Sequence, residues 1–136
     1  MKKSVCIILE KKSGKKKEDG TDIQEYLAVS RKDDLELFGL PGGKVDDTDP
    51  TTEHAIIREV KEETGLDVFN LKLIDTRELD EYESHCYVGS VGGRLKPNED
   101  LVNMGEGICE WVDKEVIMNG FCGKYNEEMF RILGLV

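Results

Sequence analysis

The chain has 136 residues, about the size of one domain, which makes a single core over residues 1–136 the expectation. Nineteen Lys and Arg against 29 Asp and Glu leave a formal charge of −10. Such an acidic surface gains nothing from counterion release and disfavours general nucleic-acid binding. The longest apolar runs, such as Val5 to Leu9, fall far short of the ~20 residues that cross a bilayer, so no membrane association is expected.

The N-terminal residues MKKSVCIILE place two lysines before a short apolar run that Glu10 and Lys11 end at once. This reads as a buried first strand, Val5 to Glu10, and not as a cleaved leader. A second strand is expected over Tyr26 to Arg31, with the lysine-rich stretch between them a mobile solvated loop. Phe38 to Pro41 is a short apolar piece stopped by Pro41-Gly42-Gly43. Thr51 or Thr52 then offers an N-cap for a helix over Glu53 to Thr64, and Gly65 sits where a left-handed turn ends a helix. Leu71 to Glu78 and His85 to Val91 read as strands, Lys96 to Gly107 as a polar loop, and Ile108 to Val112 as a further strand. Asp113 caps a short turn through Met118, and Asn126 starts a terminal amphipathic helix. Strands on both sides of a central helix, with another helix at the end, predict an α/β fold in which helices sandwich a mixed sheet. Cys6, Cys86, Cys109 and Cys122 show no CxxC spacing and lie in or beside apolar stretches, as expected of buried, reduced thiols in a cytoplasmic protein.

The chemistry concentrates on the predicted helix. With Glu59 at zero and about 100° per residue, Glu62 falls near −60° and Glu63 near +40°. Three carboxylates therefore share one stripe, beside a buried face of Ile56, Ile57, Val60 and Thr64, with His54, Arg58 and Lys61 on the far side. Neighbouring like charges repel, and a hard divalent cation converts that repulsion into coordination. A solvated acidic face is the competing reading. The glycine pair Gly42-Gly43, which lets backbone approach a ligand closely, tips the balance toward a site.

The segment from Gly43 through Asp49, followed by Arg58-Glu59-Val60-Lys61-Glu62-Glu63-Thr64-Gly65-Leu66, resembles the Nudix box, G-x5-E-x7-R-E-U-x-E-E-x-G-U with U aliphatic. The second half matches without a gap, and Leu40-Pro41-Gly42-Gly43-Lys44 is also typical of that family. In the first half Asp49 replaces the early glutamate, and eight residues instead of seven separate it from Arg58.

The resemblance implies a Nudix-like α/β/α sandwich and hydrolysis of a nucleoside diphosphate linked to another group. It implies Mg²⁺, with Mn²⁺ as the alternative, held by Glu59, Glu62, Glu63 and the Gly42 carbonyl. Glu106 is a further metal ligand by likeness to mutator-type members, with Glu110 as its alternative. Glu59 and Glu62 are carried over as catalytic, with Arg58 orienting a carboxylate; the general base is a box glutamate or one from a downstream loop. Arg31 resembles a phosphate contact, Tyr82 a base-stacking tyrosine of diadenosine-polyphosphate hydrolases, and Asn126 a base-reading asparagine of mutator-type triphosphatases. For these three, surface charge, surface exposure and an N-cap are the respective structural alternatives. The substrate expected is a small nucleotide, a nucleoside triphosphate or an oxidised one, and the protein a monomer or homodimer. The alternatives are a dinucleoside polyphosphate, ADP-ribose or nucleotide-sugar hydrolase, or a non-catalytic nucleotide-binding Nudix domain.

Overall fold

A computed structural model describes residues 1–136. In chain order the elements are β1 (Lys2–Ile8), β2 (Glu10–Lys16), β3 (Asp22–Arg31), β4 (Asp34–Gly39), β5 (Gly42–Lys44), α1 (Thr52–Thr64), β6 (Asp67–Leu79), β7 (Tyr82–Gly92), α2 (Asn98–Asn103), β8 (Cys109–Val112), α3 (Lys114–Met118) and α4 (Gly123–Ile132). One sheet runs β5-β1-β7-β6 and is mixed, because β1 and β7 are parallel while β5 and β6 pair antiparallel. In the second, all-antiparallel sheet, β3 pairs β2, β4 and β8.

Alternation along β1 divides the core into two layers. Val5, Ile7 and Leu9 join Leu27, Ala55, Ile56, Val60, Leu66, Val68 and Tyr87 on the α1 side. Ile8, with Cys6 packed beside it, joins Tyr26, Ala28, Phe38, Cys86, Ile117, Met129 and Phe130 on the side of α3 and α4. Adjacent residues such as Cys86 and Tyr87 thus serve opposite layers, and the α/β/α sandwich is present.

Helix α1 forms where expected. The Thr51 side chain accepts the His54 amide as N-cap, and Gly65 ends the helix in the left-handed conformation at φ 84°. Burial of Ile56 and Val60 contributes roughly 1.5–3 kcal/mol each. A hydrogen bond of 2.5 Å between the Thr52 and Tyr87 hydroxyls ties the first turn to β7. Ile57, expected on the buried face, is 41% exposed, because the stripe that meets the sheet is too narrow to include it.

Other boundaries differ for reasons of pairing. The lysine-rich stretch is a loop only from Lys17 to Thr21: Glu10–Lys16 is strand β2, in register with β3 at Glu10↔Tyr26, Lys11↔Glu25 and Lys12↔Gln24. Backbone hydrogen bonds hold it while its lysines stay solvated, and Lys16 lies 3.2 Å from Asp22 across the pair. Strands β6 and β7 reach Asp67 and Tyr82, so Tyr82 is the first residue of a strand and not part of a loop. The polar stretch before Gly107 contains α2, pinned by fully buried Leu101. Helix α4 starts at Gly123, after Cys122 at φ 57°, so Asn126 lies inside it and is not its N-cap. Cys86 and Cys109 are buried as expected, but Cys122 is exposed. No helix is long and apolar enough to cross a membrane.

Candidate active site

The helix α1, the β4–β5 turn and the chain leading into β8 converge on one cleft. Gly42 and Gly43 begin β5, and each is required by a close approach. A Cβ on Gly42 would lie 2.0 Å from the Val5 carbonyl oxygen, and one on Gly43 would lie 2.5 Å from the Glu59 carboxyl carbon. The bare backbone lets α1 deliver two carboxylates onto the turn, and the Gly42 amide donates to Glu63 Oε1 at 2.9 Å.

Glu63 is deeply placed. Burial pushes its carboxyl well above the usual range; the Gly42 amide opposes this, and Glu59 and Glu106 add to it. Glu59 is also raised by burial, with Arg58 counteracting and Glu62 and Glu106 reinforcing. These shifts describe negative charge gathered where water solvates it poorly, an arrangement that favours a cation. Glu62 differs: its side chain is 51% exposed and pairs with Arg58 at 3.3 Å. The stripe read from the helical wheel is therefore split, with Glu59 and Glu63 in the cleft and Glu62 at its rim.

Arg58 is not on the far side of the helix. Its Nε and Nη2 donate to both oxygens of Asp49 at 2.9 and 2.7 Å, and Nη2 also reaches the Lys44 carbonyl at 3.2 Å. Its Nη1 donates to Glu59 at 3.1 Å. Asp49, with a side chain 5% exposed, also accepts the Asp46 amide at 3.0 Å. One extra residue thus still lets aspartate, shorter by a methylene than glutamate, grip the arginine in the fork-to-fork geometry. The Arg58 hydrogen bonds hold the Asp49 carboxyl down at about 2. A carboxylate depressed in the folded state stabilises fully above its unfolded pKa near 4 and loses that contribution as pH falls toward 2. Asp49→Asn should therefore melt below the wild type at pH 7, with the gap closing between about pH 4 and 2 in circular dichroism melts. A gap independent of pH would contradict this.

Glu106 has a side chain 18% exposed and an oxygen 3.9 Å from Lys32 Nζ. Glu110 is exposed on β8, opposite Ala28. Of the two, only Glu106 influences both Glu59 and Glu63.

Two hollows flank the Gly42 turn. One, of about 410 Å³, is lined by Ser30, Arg31, Lys32, Gly42, Glu63 and Phe121 among others. The second, of about 250 Å³, includes Cys6, Leu40, Lys44, Tyr82, Phe121 and Asn126. Arg31 forms two hydrogen bonds with Asp33, at 2.8 and 3.3 Å, and its guanidinium lies 4.4 Å from the centre of the Phe121 ring. Tyr82 has the ammonium groups of Lys2 and Lys44 within 5.9 and 5.7 Å of its ring. Asn126, 3% exposed, spends its amide on the carbonyls of Ile117 (3.2 Å) and Phe121 (2.8 Å). Its Oδ1 receives no donor from the protein. The structure thus brings Arg31 to the Glu63 hollow, and Tyr82 and Asn126 together to the adjoining one.

No sequence motif singles out Phe121, Lys32 or Ser30. An aromatic residue in the short loop Gly120-Phe121-Cys122-Gly123 was a usable signal for Phe121; Ser30 and Lys32 had none beyond adjacency to Arg31.

No group of three or more His, Cys, Asp and Glu side chains is arranged to hold a metal ion. The chemistry of the donors nevertheless suits a hard divalent cation: Glu59 and Glu63 supply oxygens, and Glu106 lies near enough to raise both of their carboxyls. Every fully buried side-chain oxygen has a partner, and Glu63 bonds through Oε1 alone, which leaves its second oxygen open to the cleft.

A mixed-sheet sandwich with an Arg-Glu-x-x-Glu-Glu helix against a double-glycine turn defines a family. The NUDIX domain model matches residues 3–131, and the chain belongs to that family. A Bacillus subtilis (strain 168) protein provisionally named 8-oxo-dGTP diphosphatase is 38% identical over 72 residues, covering 52% of this chain. That match spans about half of the relative's length (47%). Among solved structures, one from work on MutT of Aliivibrio salmonicida and Vibrio cholerae has TM-score 0.67 at 20% identity, covering 99% of this chain and 98% of that one. An ADP-ribose pyrophosphatase from Streptococcus suis has TM-score 0.66 at 21% identity, covering 96% and 87%. At these identities the likeness is one of fold.

Proposed function

We propose that the protein is a divalent-metal-dependent pyrophosphohydrolase acting on a nucleoside triphosphate, with an oxidised purine nucleotide as its foremost substrate. The observation that carries this reading is the pairing of two carboxylates, Glu59 and Glu63, on the glycine turn with an adjoining hollow lined by Tyr82, Phe121 and Asn126. The name of the Bacillus subtilis relative supports the choice among nucleotides.

In this reading Glu59, Glu63 and the Gly42 carbonyl would hold Mg²⁺ or Mn²⁺, with Glu106 as a further ligand and Glu62 assisting from the rim. When bound, the ion neutralises phosphate oxygens and lowers the pKa of water that attacks phosphorus. Arg58 keeps Glu59 aimed into the cleft while Asp49 anchors Arg58. Arg31 and Lys32, on the wall of the larger hollow, offset the charge of a polyphosphate in a protein of net charge −10. Tyr82 and Phe121 offer aromatic faces to a base. Asn126, its amide committed inward, presents only an acceptor, so it selects a base edge bearing an N–H donor. The general base would be Glu62, half-exposed at the rim where water reaches it. A non-catalytic nucleotide-binding domain is the less favoured reading, since all three helix glutamates are retained.

The test is a kcat/KM panel of canonical and oxidised nucleoside triphosphates, ADP-ribose, NADH, nucleotide sugars and diadenosine polyphosphates, with Mg²⁺, with Mn²⁺ and after EDTA treatment. We expect an oxidised purine triphosphate to lead and EDTA to abolish turnover. Undiminished hydrolysis without metal would overturn the mechanism, and a clear preference for ADP-ribose would overturn the substrate.

A further inference from the structure

The cleft is built from parts far apart in sequence, and one hydroxyl joins two of them. Where β8 leaves its ladder with β3, the pairing does not simply end. The Ser30 amide donates to the Ile108 carbonyl at 2.8 Å, and the Ile108 amide turns to the Ser30 hydroxyl, which accepts at 2.9 Å. That hydroxyl in turn donates to the Arg31 carbonyl at 3.1 Å. Gly107 lies flush on the same residue: a Cβ there would sit 2.4 Å from the Ser30 carbonyl oxygen and 2.5 Å from its hydroxyl. On the other side of Glu106, its own amide donates to the Leu101 carbonyl at 2.8 Å, at the end of α2. Glu106 is therefore clamped from both directions, by α2 before it and by Ser30 after it. Ser30 is 8% exposed and lines the hollow that contains Glu63.

We infer that Ser30 is a positioning residue: its hydroxyl fixes the Gly107–Ile108 backbone and thereby holds the Glu106 carboxylate near Glu59 and Glu63, so that it sets metal affinity without touching metal or nucleotide. A hydroxyl suits this place because one group must both accept from Ile108 and donate to Arg31. Alanine would leave the Ile108 amide without its partner and free the chain beside Glu106. The inference rests on the proposed metal role of Glu106, and the experiment separates the two.

Mn²⁺ binding to the nucleotide-free protein is titrated by calorimetry for wild type, Ser30→Ala, Glu106→Gln and the double variant, alongside melting temperatures and KM for the best nucleotide. We expect Ser30→Ala to weaken Mn²⁺ about tenfold, the scale typical of outer partners of metal ligands, with little change in KM. In the Glu106→Gln background the same substitution should add no further loss, because the carboxylate it positions is gone. A merely structural role would lower the melting temperature in both backgrounds and leave Mn²⁺ affinity alone, or weaken it equally in both; either result overturns the inference. Unchanged Mn²⁺ affinity in Glu106→Gln itself would instead show that Glu106 is not a ligand, and the positioning role would fall with it. If Ser30→Ala does not purify, Ser30→Cys keeps the branching with a slightly larger sulfur that accepts hydrogen bonds only weakly, and it gives the same comparison.

Discussion

Glu63→Gln and Glu59→Gln should each lower kcat by about two orders of magnitude or more, roughly 3 kcal/mol of barrier, while leaving the fold intact. Glutamine retains the shape and a carbonyl acceptor, so the Gly42 amide keeps its partner in the first variant and Arg58 keeps its partner in the second. What disappears is the charge that an oxygen-only metal site depends on. Burial already disfavours ionised Glu63, and Glu59 and Glu106 repel it, so removing that charge relieves the metal-free protein. Melting temperatures should be unchanged or higher, with kcat measured at saturating Mg²⁺ carrying the loss. Near-normal turnover in both variants would place the reaction elsewhere in the molecule.

The two glycines of the turn should fail in different ways when each is changed to alanine. At Gly42 the new methyl meets backbone, 2.0 Å from the Val5 carbonyl oxygen, and β1 cannot yield without breaking its ladder with β5. Overpacking of this kind costs about 3 kcal/mol or more, and a fall in melting temperature of roughly 10 °C is expected. At Gly43 the obstacle is the flexible end of a side chain, with the Glu59 oxygens 2.6 and 2.7 Å from the methyl position. Glu59 can swing aside at small cost in stability, but it then leaves both Arg58 and the cleft. Gly43→Ala should melt close to the wild type yet lose about ten- to a hundredfold in kcat, since displacements near 1 Å carry penalties of that size. A Gly43→Ala protein with full activity would mean that the position of Glu59 is not critical.

Helix α1 was legible from the sequence because everything that shapes it is local. The Thr51 cap, the Ile56 and Val60 stripe and the left-handed Gly65 act within a few residues, and helical geometry alone places Glu59 and Glu63 one turn apart. The first half of the lysine-rich stretch carries no local strand signal because strand β2 owes its existence to its partner: the ladder with β3 uses backbone groups that every residue carries, and composition is a weak guide to them. Asp49 was in the same position, since a loop one residue longer could reach Arg58 or miss it, and the distance is decided only when the loop is closed.

By itself, then, the sequence determined the family, the carboxylate-bearing helix and the glycine turn, all set by short-range spacing. Tertiary structure alone decided that Glu62 stands at the rim beside Arg58, that Glu106 and not Glu110 lies near enough to raise the Glu63 carboxyl, and that Tyr82 and Asn126 share one hollow. Those outcomes depend on contacts such as Gly42 to Glu63 and Ser30 to Ile108, 21 and 78 positions apart. Side-chain direction at such separations follows from how two sheets and their helices pack, and no local pattern of residues encodes it.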